Sequence, residues 1–284
     1  MANKNLSISA DGIAKLKKYE AEIDGIYEDQ SGYCTAGVGH LINKQDKWGC
    51  FLLTAASADN DWKSSIAKRF PGSDSEVLYL RRTAAFATKF ADLKTKAVEL
   101  AKVDVGQKRY GKAFDKLTKA EQDKVTMAAQ AAVDEQGKVL AQTPDELLKQ
   151  DLSTYENAVR NNVTTPLTQV EYDVLVSLCW NIGPGAFANS SVVTEINRGK
   201  YKSGEAKDRS TAINAIEQAF ARYNRSAGVV VEALTKRRKD ESDRYLQEAR
   251  ALLADLQKKA PSAGAPAAAG GPKPVAVPAA VKAP

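Results

Sequence analysis

The sequence predicts an α+β protein in which helix dominates, and three observations carry that reading. Four Ser/Thr-x-x-Glu patterns mark helix starts, at Thr118, Thr143, Ser153 and Thr168. Helical periodicity fills stretches at roughly 75–104, 119–136, 170–182, 190–198, 209–223 and 229–258. Residues 23–43, IDGIYEDQSGYCTAGVGHLIN, read differently. There Gly25, Gly32, Gly37 and Gly39 punctuate short β-favouring runs, which predicts a hairpin or a three-stranded sheet.

Taken in order, the first helix starts at Ser9, whose side chain can cap it. Ile13, Leu16, Lys17 and Tyr19/Glu20 continue its pattern to about Glu22. The β-element follows, and after about Asp46 helix signals take over. Each capping box satisfies N–H groups that a helix start otherwise leaves unpaired. At the second, Pro144 occupies the first helical position, where its missing N–H costs nothing. Residues 260–284 break the pattern. They hold 6 of the 10 prolines, 10 alanines and only two charges, Lys273 and Lys282. Such a segment cannot bury enough apolar surface to offset its ordering entropy, so a disordered Ala/Pro-rich tail is expected beyond a folded unit of residues 1–259.

Composition excludes several classes. No stretch approaches the ~18–20 apolar residues of a membrane span, so no stable membrane insertion is expected. The N-terminus MANKNLSISADG lacks the apolar core of a signal peptide. With one histidine, His40, and three scattered cysteines, neither a metal site nor a disulfide scaffold is expected, and no cofactor is called for. The net charge of +6 suits some anionic partner without naming it. The run Lys236-Arg237-Arg238-Lys239 gives way to Asp240, Glu241 and Asp243, so no nucleic-acid stripe forms.

The chemistry-bearing pattern is Glu20-x8-Asp29-x5-Thr35, spanning a helix end and the neighbouring β-element. Two carboxyls so placed can divide acid and base work. Glycosidic cleavage needs that division: one protonated carboxyl for the leaving oxygen, one ionised carboxylate for water. A hydroxyl such as Thr35 can share in orienting that water. Glu22, Asp24 and Glu28 stand close by, so spacing alone does not select the pair.

The residues that select it extend further. Leu16-Lys17-Lys18-Tyr19-Glu20, Tyr27-Glu28-Asp29-Gln30-Ser31-Gly32 and Thr35-Ala36-Gly37-Val38-Gly39-His40 resemble the active-site segment of the phage-type lysozymes, glycoside hydrolase family 24. Leu147 to Leu152, Pro166 to Ser177, Trp180-Asn181-Ile182-Gly183, Phe187 to Ser191, Ile196 to Tyr201, Tyr223-Asn224 and Arg237 to Glu241 are similar to later family segments, in family order. Ala21 and Ala36 depart from the family's usual residues. The resemblance implies a two-lobed lysozyme-like fold. It implies an inverting muramidase that cuts peptidoglycan between N-acetylmuramic acid and N-acetylglucosamine. Glu20 would be the general acid, and Asp29 and Thr35 would hold the water. Trp180, Asn181 and Ser190 would line the glycan cleft. Gly183 and Gly185 would serve tight turns, and Arg237, Arg238 and Glu241 a structural charge cluster.

His40 is expected to be a structural hydrogen-bond or ion-pair partner. Cys34, Cys50 and Cys179 are expected as buried free thiols, with a Cys34–Cys50 disulfide the alternative in an oxidising compartment. Between His40 and Leu147 the chain is longer than small family members need. That predicts a helical insertion at about 46–142, with Trp48, Trp62, Phe70, Tyr79, Phe86, Phe90, Tyr110 and Phe114 as candidate core. It would form a subdomain acting on glycan access or wall binding, or simply an enlarged lobe. A monomer made in the cytoplasm and acting on the bacterial wall fits a phage endolysin. An antibacterial effector, with an immunity protein or secretion component as partner, and a non-catalytic glycan-binding protein are the alternatives.

Overall fold

The computed structural model describes residues 2–20, 22–29, 32–43, 48–69, 76–81, 85–226 and 228–259. The expected tail at 260–284 and the core candidate Phe70 lie outside the described residues, as does the side chain of Phe86. The architecture is α+β with helix dominating and a small antiparallel sheet, as the patterning predicts.

Helix α1, Ala10–Tyr19, begins where Ser9 caps it, the Ser9 hydroxyl accepting from the Gly12 N–H at 3.0 Å. It ends earlier than expected, because Glu20 is already extended. Strands β1 (Ile23–Glu28), β2 (Cys34–Gly37) and β3 (His40–Leu41) form the predicted meander. The sheet continues beyond it. After helix α2 (Phe51–Ser57) and a 3₁₀ turn at Asn60–Ser65 come β4 (Ile66–Arg69) and β5 (Glu76–Arg81). β5 pairs with β1, giving the order β3-β2-β1-β5-β4. Residues 76–81, expected in a helix, are therefore strand, and the segment expected to be purely helical contributes two strands.

Helices α3 (Ala85–Tyr110) and α4 (Lys119–Leu140) complete this first lobe. Its core joins Ile26, Cys34 and Ala36 of the sheet to Trp48, Trp62, Leu93, Val125 and Val133. Residues 46–142 thus share one core with the β-element. Phe90, Tyr110 and Phe114 pack against that core half-buried. Buried Gln136 of α4 fastens the loop before α2. It accepts from the Leu52 N–H at 3.1 Å and donates to the Gly49 carbonyl at 2.9 Å.

The second lobe is all helix apart from one short hairpin. It contains α5 (Pro144–Asn162), α6 (Gln169–Ile182), α7 (Pro184–Ala188), α8 (Ser191–Asn197), α9 (Ala206–Ala221) and α10 (Glu232–Lys259). Strands β6 (Arg225–Ser226) and β7 (Val229–Val230) make the hairpin. Capping boxes start α4, α5 and α6 at Thr118, Thr143 and Thr168, each with both reciprocal bonds. The fourth expected start fails: Ser153 lies inside α5, and its hydroxyl donates back to the Gln150 carbonyl. Central helix α6 is buried along most of its length and ends at Gly183, whose φ of 84° favours glycine.

Among the described residues, α5 and α1 both connect the lobes. Leu147 of α5 belongs to the first core, while Leu148 and Leu152 belong to the second. Helix α1, first in sequence, packs on the second lobe through Leu16. Gly12 allows this approach, since a Cβ there would lie 2.7 Å from Asp173 Cγ of α6. The Asp173 carboxylate in turn accepts from the Ser9 N–H at 2.9 Å. The start of α1 is therefore fixed on α6 before the helix runs toward Glu20.

Candidate active site

Glu20 is the residue that ends α1. Its carboxylate accepts from Arg237 Nη1 of α10 at 2.7 Å, and its side chain is 26% exposed against 6% for Arg237. Every face of that guanidinium is engaged. Nε donates to Glu241 Oε1 at 3.1 Å, and Nη2 donates to the Ser177 carbonyl and hydroxyl at 3.3 Å. Its plane lies 4.6 Å over the Tyr19 ring. Tyr19 in turn donates to Asp240. The expected structural cluster of Arg237, Arg238 and Glu241 is thus present, and Arg237 reaches the predicted acid directly.

Asp29 stands at the turn after β1. Its Oδ1 accepts from the Tyr33 N–H at 2.9 Å, its N–H donates to the Tyr33 carbonyl at 2.9 Å, and its carbonyl accepts from Gly32 at 2.9 Å. Three bonds in one turn fix the carboxylate on the rim of the sheet. Thr35 lies directly opposite Tyr27 across the β1–β2 ladder. Opposed residues of an antiparallel pair share a face. Ile26, Cys34 and Ala36 turn into the core. Thr35 is 4% exposed, and its hydroxyl donates to the Tyr33 carbonyl at 3.3 Å.

Tyr27 ties the two sides together. Burial pushes its phenol up to about 12, and the negative charges of Asp29 and then Glu20 add to that. The neighbouring acids are used otherwise. Glu28 accepts from the Cys50 N–H at 3.1 Å, and exposed Glu22 pairs with Lys17 at 3.3 Å.

Trp180, half-buried near the end of α6, packs against Tyr155 of α5 with ring centroids 4.7 Å apart and the rings tilted by 45°. Tyr155 faces the same region: burial raises its phenol, with the charges of Asp151 and Glu20 among the further causes. Sequence reasoning missed Tyr155, whose only local signal is an aromatic on an amphipathic helix. Asn181 is exposed beside Trp180. Ser190 departs from expectation. It is 1% exposed, and its hydroxyl caps α8 by accepting from the Val193 N–H at 3.1 Å, so it presents nothing to a ligand.

His40 pairs with Asp151 of α5 at 2.8 Å, linking β3 to the second lobe as a structural partner. Cys34 and Cys50 form a disulfide rather than the expected free thiols, joining the strand of Thr35 to the start of α2. The hydrogen bond from Cys34 N–H to the Trp48 carbonyl already brings these segments together. Cys179 is free and buried, its thiol pushed up to about 12 by burial. No group of side chains suited to a metal occurs among the described residues. No described helix is long and apolar enough to cross a membrane.

The family model described as phage lysozyme matches residues 117–241. The match begins after Thr35 and inside the 46–142 segment, and it contains Trp180, Asn181, Ser190, Arg237 and Glu241. An endolysin of Salmonella phage P22 is 43% identical over 65 residues, 23% of this chain and 44% of that protein. An endolysin of Bacillus phage PZA is 32% identical over 103 residues, 36% of this chain and 35% of its own length. The matched stretches thus span less than half of either endolysin. The muramidase domain of SpmX from Asticaccaulis excentricus aligns with a TM-score of 0.42 and 19% identity, covering 85% of this chain and 99% of that one. Residues 117–241, which supply the arginine clamp on Glu20, are thus similar to the phage lysozymes.

Proposed function

We propose that the protein is a peptidoglycan hydrolase, a muramidase that cuts between N-acetylmuramic acid and N-acetylglucosamine with inversion. The observation that carries this reading is the arginine clamp on Glu20 at the end of α1, with Asp29 held by the Tyr33 N–H after β1 and Thr35 on the neighbouring strand. Glu20 is the general acid. In its protonated form it donates to the glycosidic oxygen as the bond from that oxygen to the anomeric carbon breaks. A water held by Asp29 and Thr35 adds to the anomeric carbon from the opposite face, and its proton passes to Asp29. Asp29 then releases that proton to solvent and Glu20 regains one, which closes the cycle. The Tyr155–Trp180 pair offers an aromatic face to a sugar ring, with exposed Asn181 as a polar contact beside it.

In this reading the catalytic unit spans residues 1–259, residues 46–142 enlarge its sheet lobe, and residues 260–284 stand outside it. The enzyme works as a monomer, without metal or cofactor, on the bacterial wall as an endolysin.

A peptidoglycan zymogram with the wild type and Glu20→Gln tests the assignment. Clearing by the wild type alone is expected. Clearing by both proteins, or by neither, overturns it. Reducing-end analysis of the products should find free reducing sugars, whereas anhydro ends would mean a transglycosylase.

A further inference from the structure

Glu241 has no place in the mechanism, yet it is the most deeply buried carboxylate around the site. It is 0% exposed, and three donors converge on its Oε1: the Ser177 hydroxyl at 2.8 Å, Arg238 Nη2 at 3.0 Å and Arg237 Nε at 3.1 Å. Its Oε2 lies 2.9 Å from Arg238 Nη2. Two guanidinium groups and a donating hydroxyl around one oxygen form a setting suited to a carboxylate. Arg237 therefore stands between two acids, with Glu241 on Nε and Glu20 on Nη1.

This placement bears on a requirement of the chemistry. An unshared guanidinium at 2.7 Å favours the ionised form of a carboxyl, yet a general acid must carry a proton. We infer that Glu241 is a positioning residue that sets the proton affinity of Glu20 by sharing the charge of Arg237. The inference rests on Glu20 being the acid of the proposed hydrolase. Arg238, 1% exposed, acts in the opposite sense by drawing on Glu241 from its other side.

The other groups facing this network are few. Helix α1 contributes Tyr19 and Glu20, α6 contributes Ser177, and α10 itself contributes Asp240. Tyr27 of β1 and Tyr155 of α5 feel the charge of Glu20. Burial pushes the Glu241 carboxyl up, while Arg238, Arg237 and the Ser177 hydroxyl pull it back. The two arginines and two glutamates balance in charge, so each acid depends on how the other uses Arg237.

The test is the pH–activity profile of wall lysis by the wild type, Glu241→Gln and Arg238→Gln, with thermal melts alongside. In Glu241→Gln the alkaline limb should move to lower pH by about one unit, roughly a tenfold change in the acid's ionisation, with the plateau rate at low pH largely retained. In Arg238→Gln the limb should move to higher pH. A role in stability alone would lower the melting temperature and leave both limbs in place, and that result overturns the inference. If Glu241→Gln does not fold, Arg238→Gln decides by the sign of its shift. Carbon-13 titration of the glutamate carboxyls in the wild type adds a readout that needs no activity. Glu241 should be ionised at pH 6, and a protonated Glu241 overturns the inference even if no variant folds. Absence of lysis by the wild type would instead remove the hydrolase reading and leave the state of Glu241 to be read separately.

Discussion

The two lobes hold their shares of the candidate site by different physics. In the sheet lobe, Asp29 and Thr35 are set by backbone hydrogen bonds, with the Cys34–Cys50 disulfide and Gln136 behind them. In the helical lobe, Glu20 is set by a buried array of charges reaching from α10. The difference matches the work asked of each side. A water-holding carboxylate needs position, which covalent and backbone ties supply without altering its charge. A proton donor needs both position and a regulated charge environment, which neighbouring charges can supply. The helical side buries Arg237, Arg238 and Glu241 for this, and removing one partner of such an array typically costs about 3–5 kcal/mol.

The contrast can be broken at several points. The largest effect is expected for Glu20→Gln, which keeps the shape but not the proton. Lytic activity should fall by roughly 10²–10⁴ while the melting curve keeps its form, as turbidity assays and calorimetry would show. Next comes Cys34→Ser/Cys50→Ser. Losing a crosslink with a sequence separation of 16 residues should cost about 2–4 kcal/mol in denaturant unfolding, and amide exchange should speed up in β1–β3 before α6. Equal loss of protection in both lobes would mean that the disulfide does not serve the sheet lobe in particular.

A smaller loss, about 1 kcal/mol, is expected for Thr143→Ala, which removes the cap of α5 at the junction of the two cores. Because α5 roots in both, the two lobes should weaken together. The smallest effect concerns alkaline pH. Tyr27 is held neutral in the fold up to about 12, whereas an exposed tyrosine ionises near 10. A raised phenol contributes stability that is present below the unfolded value and lost as pH rises from about 10 through about 12. Tyr27→Phe should flatten that decline, seen as a shallower fall of melting temperature over the same window.

Legibility in the sequence followed the range of the interactions. Thr118, Thr143 and Thr168 announced their helices because a capping box is complete within four residues. Ser153 carried the same pattern and misled, because the pattern does not record that α5 began at Pro144. Residues 76–81 gave no reliable local signal, since their state depends on pairing with β1 some fifty residues earlier in the chain. At the site, Glu20, Asp29 and Thr35 could be named from their motif. The clamp on Glu20 could not, because Arg237 is 217 residues away. Its partner Glu241 was visible at i+4 on one helix, though only as a pair. The disulfide depends on compartment as well as proximity, and a sequence states neither.

Because α1 packs on α6 and receives Arg237 from α10, the first helix is completed by the last. Glu20 therefore lacks the group that fixes it until residues 232–259 are folded. The sheet lobe, whose contacts close within residues 23–147, can assemble on the emerging chain. In the proposed hydrolase, a variant truncated before α10 should lose the clamp on Glu20 and with it the cutting of the wall.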